Sequence, residues 1–172
     1  KGSSNESSNY EGVTFEGYAP NGIAIFVECT TDNNNRTVAN IRSIFTKHGG
    51  SLGVNGSLEF LFERKSVFMI PVKNIPTDLD SLEMDLIDSG LEILERHDDV
   101  VVIYSDFANF RDLQKRLEEL EIVATSAELQ RIPKDTQVLN LEDSKKIIQM
   151  IEKFEDDDDV QEVFHSLEII QN

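Results

Sequence analysis

The chain has 172 residues, room for one domain of ordinary size or two small ones. Its 16 basic and 33 acidic residues give a formal charge of −17, which repels phosphate and disfavours a simple nucleic-acid-binding domain. A single cysteine, Cys29, excludes an internal disulfide and the multi-cysteine zinc patterns, and no apolar run approaches the ~20 residues of a membrane span.

Residues 1–9 read KGSSNESSN. They lack the apolar stretch of a signal peptide and have nothing to bury, so they read as a disordered linker remnant. The expectation is a soluble, monomeric protein of a reducing compartment, with no membrane partner. Val13 and Phe15 alternate with polar neighbours as a first strand. Ala19-Pro20-Asn21-Gly22 is a turn signal. Gly22–Cys29 is apolar on nearly both faces, as a central strand is. Thr30–Asn35 is a cluster of capping residues, and a helix starts at its end. Val38, Ile41 and Phe45 form its apolar stripe, and Gly49-Gly50 ends it. Leu58, Phe60 and Phe62 alternate as a third strand.

Residues 66–133 have a rhythm of their own. Val67–Val72 reads as a strand. A helix capped by Thr77 or Asp78 follows, with Leu79, Leu82 and Leu86 inward. Leu91–Glu95 and Val100–Tyr104 are two strands joined at His97-Asp98-Asp99. Asp106 caps a second helix with Phe110, Leu113, Leu117 and Leu120 inward, and Val123–Ile132 is a last strand. The order βαββαβ is the ferredoxin-like split unit. After Pro133, Asn140 caps a helix carrying Ile147, Ile148, Ile151 and Phe154. Beyond Asp156–Asp159, Val163, His165, Leu167 and Ile169 alternate as a strand. One helix and one strand cannot stand alone. The predicted fold is α+β: residues 10–65 plus 134–172 form a discontinuous domain, and 66–133 a ferredoxin-like domain inserted into it.

Charge is unevenly spread. Residues 1–65 hold 6 basic and 7 acidic groups, 66–133 hold 6 and 15, and 134–172 hold 4 and 11. An anion-binding surface belongs in the first third. The glycines at 49, 50, 53 and 56 follow a helix and lack Gly-Lys-Ser/Thr, so they are turns rather than a phosphate loop. Asp156–Asp159 lacks the interleaved spacing of a calcium loop and reads as a solvated turn. His48, His97 and His165 share no ligand spacing with Cys29. His165 alternates with apolar neighbours and reads as a structural histidine, Cys29 as a buried inert thiol. No catalytic or dinucleotide motif is present. The expectation is no cofactor, no metal and no catalytic residues.

The sharpest functional candidate is the helix opened by TTDNNNRT. A helix N-terminus offers free N–H groups and partial positive charge, and Arg36 adds a bidentate phosphate fork. Arg36, Asn40, Ser43 and Lys47 share one stripe, with Arg42 to one side. Asn33, Asn34, Arg36, Asn40, Arg42, Ser43, Lys47 and His48 are therefore the candidate nucleic-acid-binding residues. The competing readings are a plainly solvated face and an Arg36 that braces the Asp32 loop.

The stretch EGYAPNGIAIFVECTTDNNNRTVANIRSIFTKHGGSLGVNGS, with Ile132-Pro133 and DDVQEVFH at Asp158–His165, resembles the YebC/PmpR family from about Tyr10 to Ile169. Leu58, Glu59 and Ser166 depart from its usual residues. The resemblance implies a basic helical domain ahead of the two domains read here, with Lys1-Gly2 as the end of the linker from it. It also implies a role in gene expression. Many members are described as probable transcriptional regulators binding DNA. Others, including a mitochondrial translational activator for a cytochrome c oxidase subunit, act near the ribosome. The resulting expectation is a non-enzymatic, cytoplasmic or mitochondrial-matrix regulator that contacts DNA, mainly through the basic domain. The alternatives are a translation factor on rRNA or ribosomal proteins, and a pure protein-interaction module.

Overall fold

A computed structural model describes residues 9–169. The expected linker remnant lies, apart from Asn9, outside the described residues. The chain divides into two units. One takes the chain up to Glu63 and again from Pro133, and the other is Arg64–Ile132.

In the first unit β1 (Glu11–Tyr18) and β2 (Ala24–Thr31) form an antiparallel hairpin, Glu11 opposite Thr31 and Tyr18 opposite Ala24. Asn21 takes φ 66° in its turn, a conformation asparagine tolerates. Helix α1 (Asn34–Lys47) follows, with Asn33 Oδ1 accepting from Arg36 N at 3.2 Å. Gly49 leaves it at φ 80°, and Gly50 N closes onto Phe45 O, the glycine-ended helix stop. The short β3 (Ser51–Leu52) pairs with the end of β1. The sheet runs β3-β1-β2-β8, its last strand supplied by Val160–His165. β2 is therefore central and buried on both faces, as its composition requires.

One face of this sheet packs under α1 and α4 (Leu141–Glu155), where Ile25, Val27, Ile41, Phe45, Met150 and Phe154 are buried together. On the other face Ala24 and Phe26 meet Leu58 and Phe62. Asn140 caps α4 through Asp143 N at 2.8 Å. A β-bulge interrupts β2–β8 pairing between Glu28 and Cys29, and Thr30 N bonds to Asp159 O at 2.9 Å.

The third strand expected at Leu58–Phe62 is not there. Residues Glu59–Leu61 form a 3-10 turn, and Phe62 instead opens β4 (Phe62–Pro71). The cause is Glu16, itself buried on β1. Its carboxylate accepts from Gly56 N at 2.5 Å and Leu58 N at 2.7 Å, so these amides turn toward β1 and no ladder forms. Leu58 and Phe62 are buried, but Phe60 is rolled outward. The last strand is also shorter than its alternation predicts. β8 stops at His165, and Leu167 makes a single parallel bridge to Gln137.

The second unit has sheet order β5-β6-β4-β7, built from β4, β5 (Ile93–His97), β6 (Val100–Asp106) and β7 (Ser126–Pro133). That is the ferredoxin-like arrangement expected of βαββαβ. Helices α2 (Leu79–Ile87) and α3 (Phe110–Glu119) bury Leu82, Leu86, Leu113 and Leu117 against Phe68, Ile70, Val101 and Ile103. Asp78 caps α2 through Ser81 N, which, with the Ser81 side chain, holds its carboxyl below the usual carboxylate range. Asp106 caps only a 3-10 turn, Phe107–Asn109, and α3 begins after Asn109.

Candidate nucleic-acid interface

Helix α1 starts where β2 ends, beside the acidic turn that leads into β8. The turn reaches into the helix N-terminus. Asp159 is buried, with 8% of its surface exposed, and Arg36 Nη2 lies 3.1 Å from both of its oxygens and 3.1 Å from Asp32 Oδ1. These carboxylates, Asp159 first, hold the guanidinium proton more tightly than usual. The Thr37 hydroxyl is 2.8 Å from Asp159 Oδ2 and 2.7 Å from the Thr31 hydroxyl. With one proton to give, Thr37 donates to the carboxylate and accepts from Thr31, which accepts from Asn33 N at 3.0 Å. Asp159 N in turn donates to Asp157 Oδ1.

This arrangement corrects the expected anion site. The Arg36 fork holds protein carboxylates, and the cavity at that end is lined by Asp32, Arg36 and Asp156–Asp159 together with Tyr10 and Asn40. Five carboxylates around one arginine repel phosphate. Asn33 has its side-chain oxygen committed as the cap, and Asn34 is exposed beside it. Thr37, buried and central to the network, carried no functional expectation. Its signal was available in its place one turn after the capping cluster.

The other half of the helix is different. Asn40, Arg42 and Lys47 are exposed, and Ser43 is half-buried. Among the described residues neither Arg42 nor Lys47 forms an ion pair. His48 is half-buried, its Nδ1 3.0 Å from Ile44 O, which leaves Nε2 as its unengaged nitrogen. The structure thus separates five of the eight candidates into two groups, with Asn34 and Ser43 in neither and Asn40 in the wall of the acidic cavity. Asn33 and Arg36 hold the fold together, while Arg42, Lys47 and His48 stand clear of the carboxylate cluster.

Two further titratable groups, Cys29 and His165, lie on β2 and β8. Cys29 is buried, and burial with Asp157 and Asp159 nearby pushes its thiol up to about 12, so it is neither nucleophile nor ligand at neutral pH. His165 accepts from Leu167 N at 3.2 Å, and burial holds its pKa below the usual value.

Over residues 10–167 the chain matches the family model described as TACO1/YebC second and third domain. It is 50% identical over 167 residues to a "Probable transcriptional regulatory protein" of Porphyromonas gingivalis, covering 97% of this chain and 69% of the relative. A protein of the same name from Cytophaga hutchinsonii is 50% identical over the same shares. The crystal structure of a conserved hypothetical protein from Aquifex aeolicus superposes with a TM-score of 0.80 at 35% identity, covering 95% of this chain and 67% of that one.

Proposed function

The chain belongs to the TACO1/YebC family, and on that premise we propose that it is a non-enzymatic regulator of gene expression that associates with DNA through the Arg42–His48 half of α1. The names of its relatives support a regulator. The observation that carries the finer reading is the division of α1. Its strongest phosphate fork is spent on Asp159, and Arg42 and Lys47 further along are exposed and, among the described residues, without an ion pair. A chain of charge −17 then binds duplex DNA weakly, no tighter than about 10⁻⁴ M at physiological salt.

Salt-titrated binding of duplex DNA at low ionic strength tests this. Arg42→Ala with Lys47→Ala should lower the slope of log K against log salt by about 2, roughly one per phosphate contact. An unchanged slope in a normally folded variant removes this face. A second reading, a translation factor on the ribosome, draws support from the exposed carboxylates of Asp156 and Asp158, which suit basic protein partners. Crosslinking in cells followed by sequencing separates the two, promoter DNA supporting the first and ribosomal RNA the second.

A further inference from the structure

We propose that a groove beside the β1–β2 turn, carrying Tyr18 and Phe60, is a stacking platform for single-stranded nucleic acid. The inference rests on the reading that this chain contacts nucleic acid, and it names the form that is bound.

Tyr18 is 41% and Phe60 65% exposed, and both line one open groove of about 600 Å³ with Gly22, Lys134 and Gln137. Phe60 is held out by construction. Glu16 fixes the amides of Gly56 and Leu58, and Leu58 and Phe62 anchor the flanks of the turn in the apolar cluster. The exposed ring is therefore presented on a braced support. Lys134 N is tied to Leu61 O at 2.9 Å, which places the lysine at the edge of the groove. Its ammonium has no ion pair among the described residues.

Charge decides what such a groove accepts. The backbone that follows α1 passes close to its rim, since a Cβ on Gly50 would run into the Tyr18 carbonyl, and Lys134 is the cation in its wall. The acidic turn lies at the opposite end of the hairpin, near Thr30 and Thr31. Seven residue-to-residue steps of strand lead from Glu11 to Tyr18, about 23 Å. That is more than two Debye lengths at physiological salt. A phosphate held at Lys134 is screened from the carboxylate cluster. Asp135, also in the groove wall, disfavours a densely charged ligand. A single strand, with fewer phosphates per length and its bases free, suits the site better than a duplex. Bases inside a duplex present no face to an aromatic ring, whereas unpaired bases of any sequence do.

The experiment measures fluorescence anisotropy of labelled oligo(U), oligo(dT) and a duplex of equal length against the 172-residue chain at low salt. It is repeated with Phe60→Ser, Tyr18→Ser and Lys134→Ala, with melting curves as the fold control. The expected result is tighter binding of single strands than duplex by the wild type, quenching of tyrosine fluorescence on binding that Tyr18→Ser abolishes, and about a fivefold loss for each aromatic variant on single strands only. Lys134→Ala should lower the single-strand salt slope by about 0.7. Aromatic variants that bind single strands like the wild type overturn the platform and leave the α1 contact standing. A wild-type chain that binds neither form overturns both.

Discussion

Replacing Asp159 by alanine isolates the network that displaced the expected anion site. The substitution removes a buried carboxylate with two bonds from Arg36 at 3.1 Å and one from Thr37 at 2.8 Å. Cutting one partner from a fully buried ion pair costs about 3–5 kcal/mol, because a bare charge is left inside. Here the charge left behind is on Arg36, whose side chain is half in water and keeps Asp32, so that penalty is largely avoided. The Thr37 hydroxyl stays buried. It falls back on Asn33 O at 3.2 Å, a longer bond than the one it loses. A lost bond to a charged acceptor together with a small void comes to about 2 kcal/mol. For a chain of this length that lowers the melting temperature by roughly 4–8 °C. Circular dichroism melts of Asp159→Ala, Thr37→Val and the double variant measure it. The two changes should be non-additive by about 1 kcal/mol, since they delete the same bond. Additive losses, or a single variant melting within about 1 °C of wild type, would refute the brace.

Glu16→Gln should cost about 2 kcal/mol in urea unfolding, because the amide group offers a donor where two backbone donors already point; an unchanged midpoint would mean the loop holds itself. Gly50→Ala should destabilise by about 2 kcal/mol or more, since its Cβ meets the Tyr18 backbone rather than a movable side chain, and a neutral outcome in a thermal melt would contradict the close approach. Asp78 gives a pH test. Its folded pKa is depressed, so its contribution is full above the ordinary carboxylate range and is lost as pH falls through the folded value. Asp78→Asn, a cap without a titrating group, should therefore gain on wild type between pH 7 and 3 in denaturant melts. Parallel pH profiles would show that the cap carries no such linkage.

Local signals read well from sequence because their causes are local. Asn33, Asp78 and Asn140 cap the helices they precede, and the leucine spacing of residues 79–120 gives the faces that α2 and α3 bury. What failed depended on distant partners. Leu58, Phe60 and Phe62 alternate as a strand does, yet a carboxylate about forty residues earlier takes the amides. Arg36 looked like a phosphate fork because Asp159 is 123 residues away, and nothing in TDNNNRT announces it. The aromatic groove was hidden for the same reason, since an alternation that buries Leu58 and Phe62 was expected to bury Phe60 as well.

The position of β2 has a consequence for biosynthesis. Phe26 pairs with Phe164 across the sheet, so one edge of the most apolar strand waits until more than 130 further residues have been made. At roughly 5–20 residues per second that interval is on the order of ten seconds. Meanwhile β1 and α1 can shield one edge and one face of β2, and residues 64–132 can complete their own sheet. The open edge is then a template for strands of neighbouring nascent chains. Aggregation should accordingly track the rate at which Val160–His165 emerges, more than the stability of the finished protein.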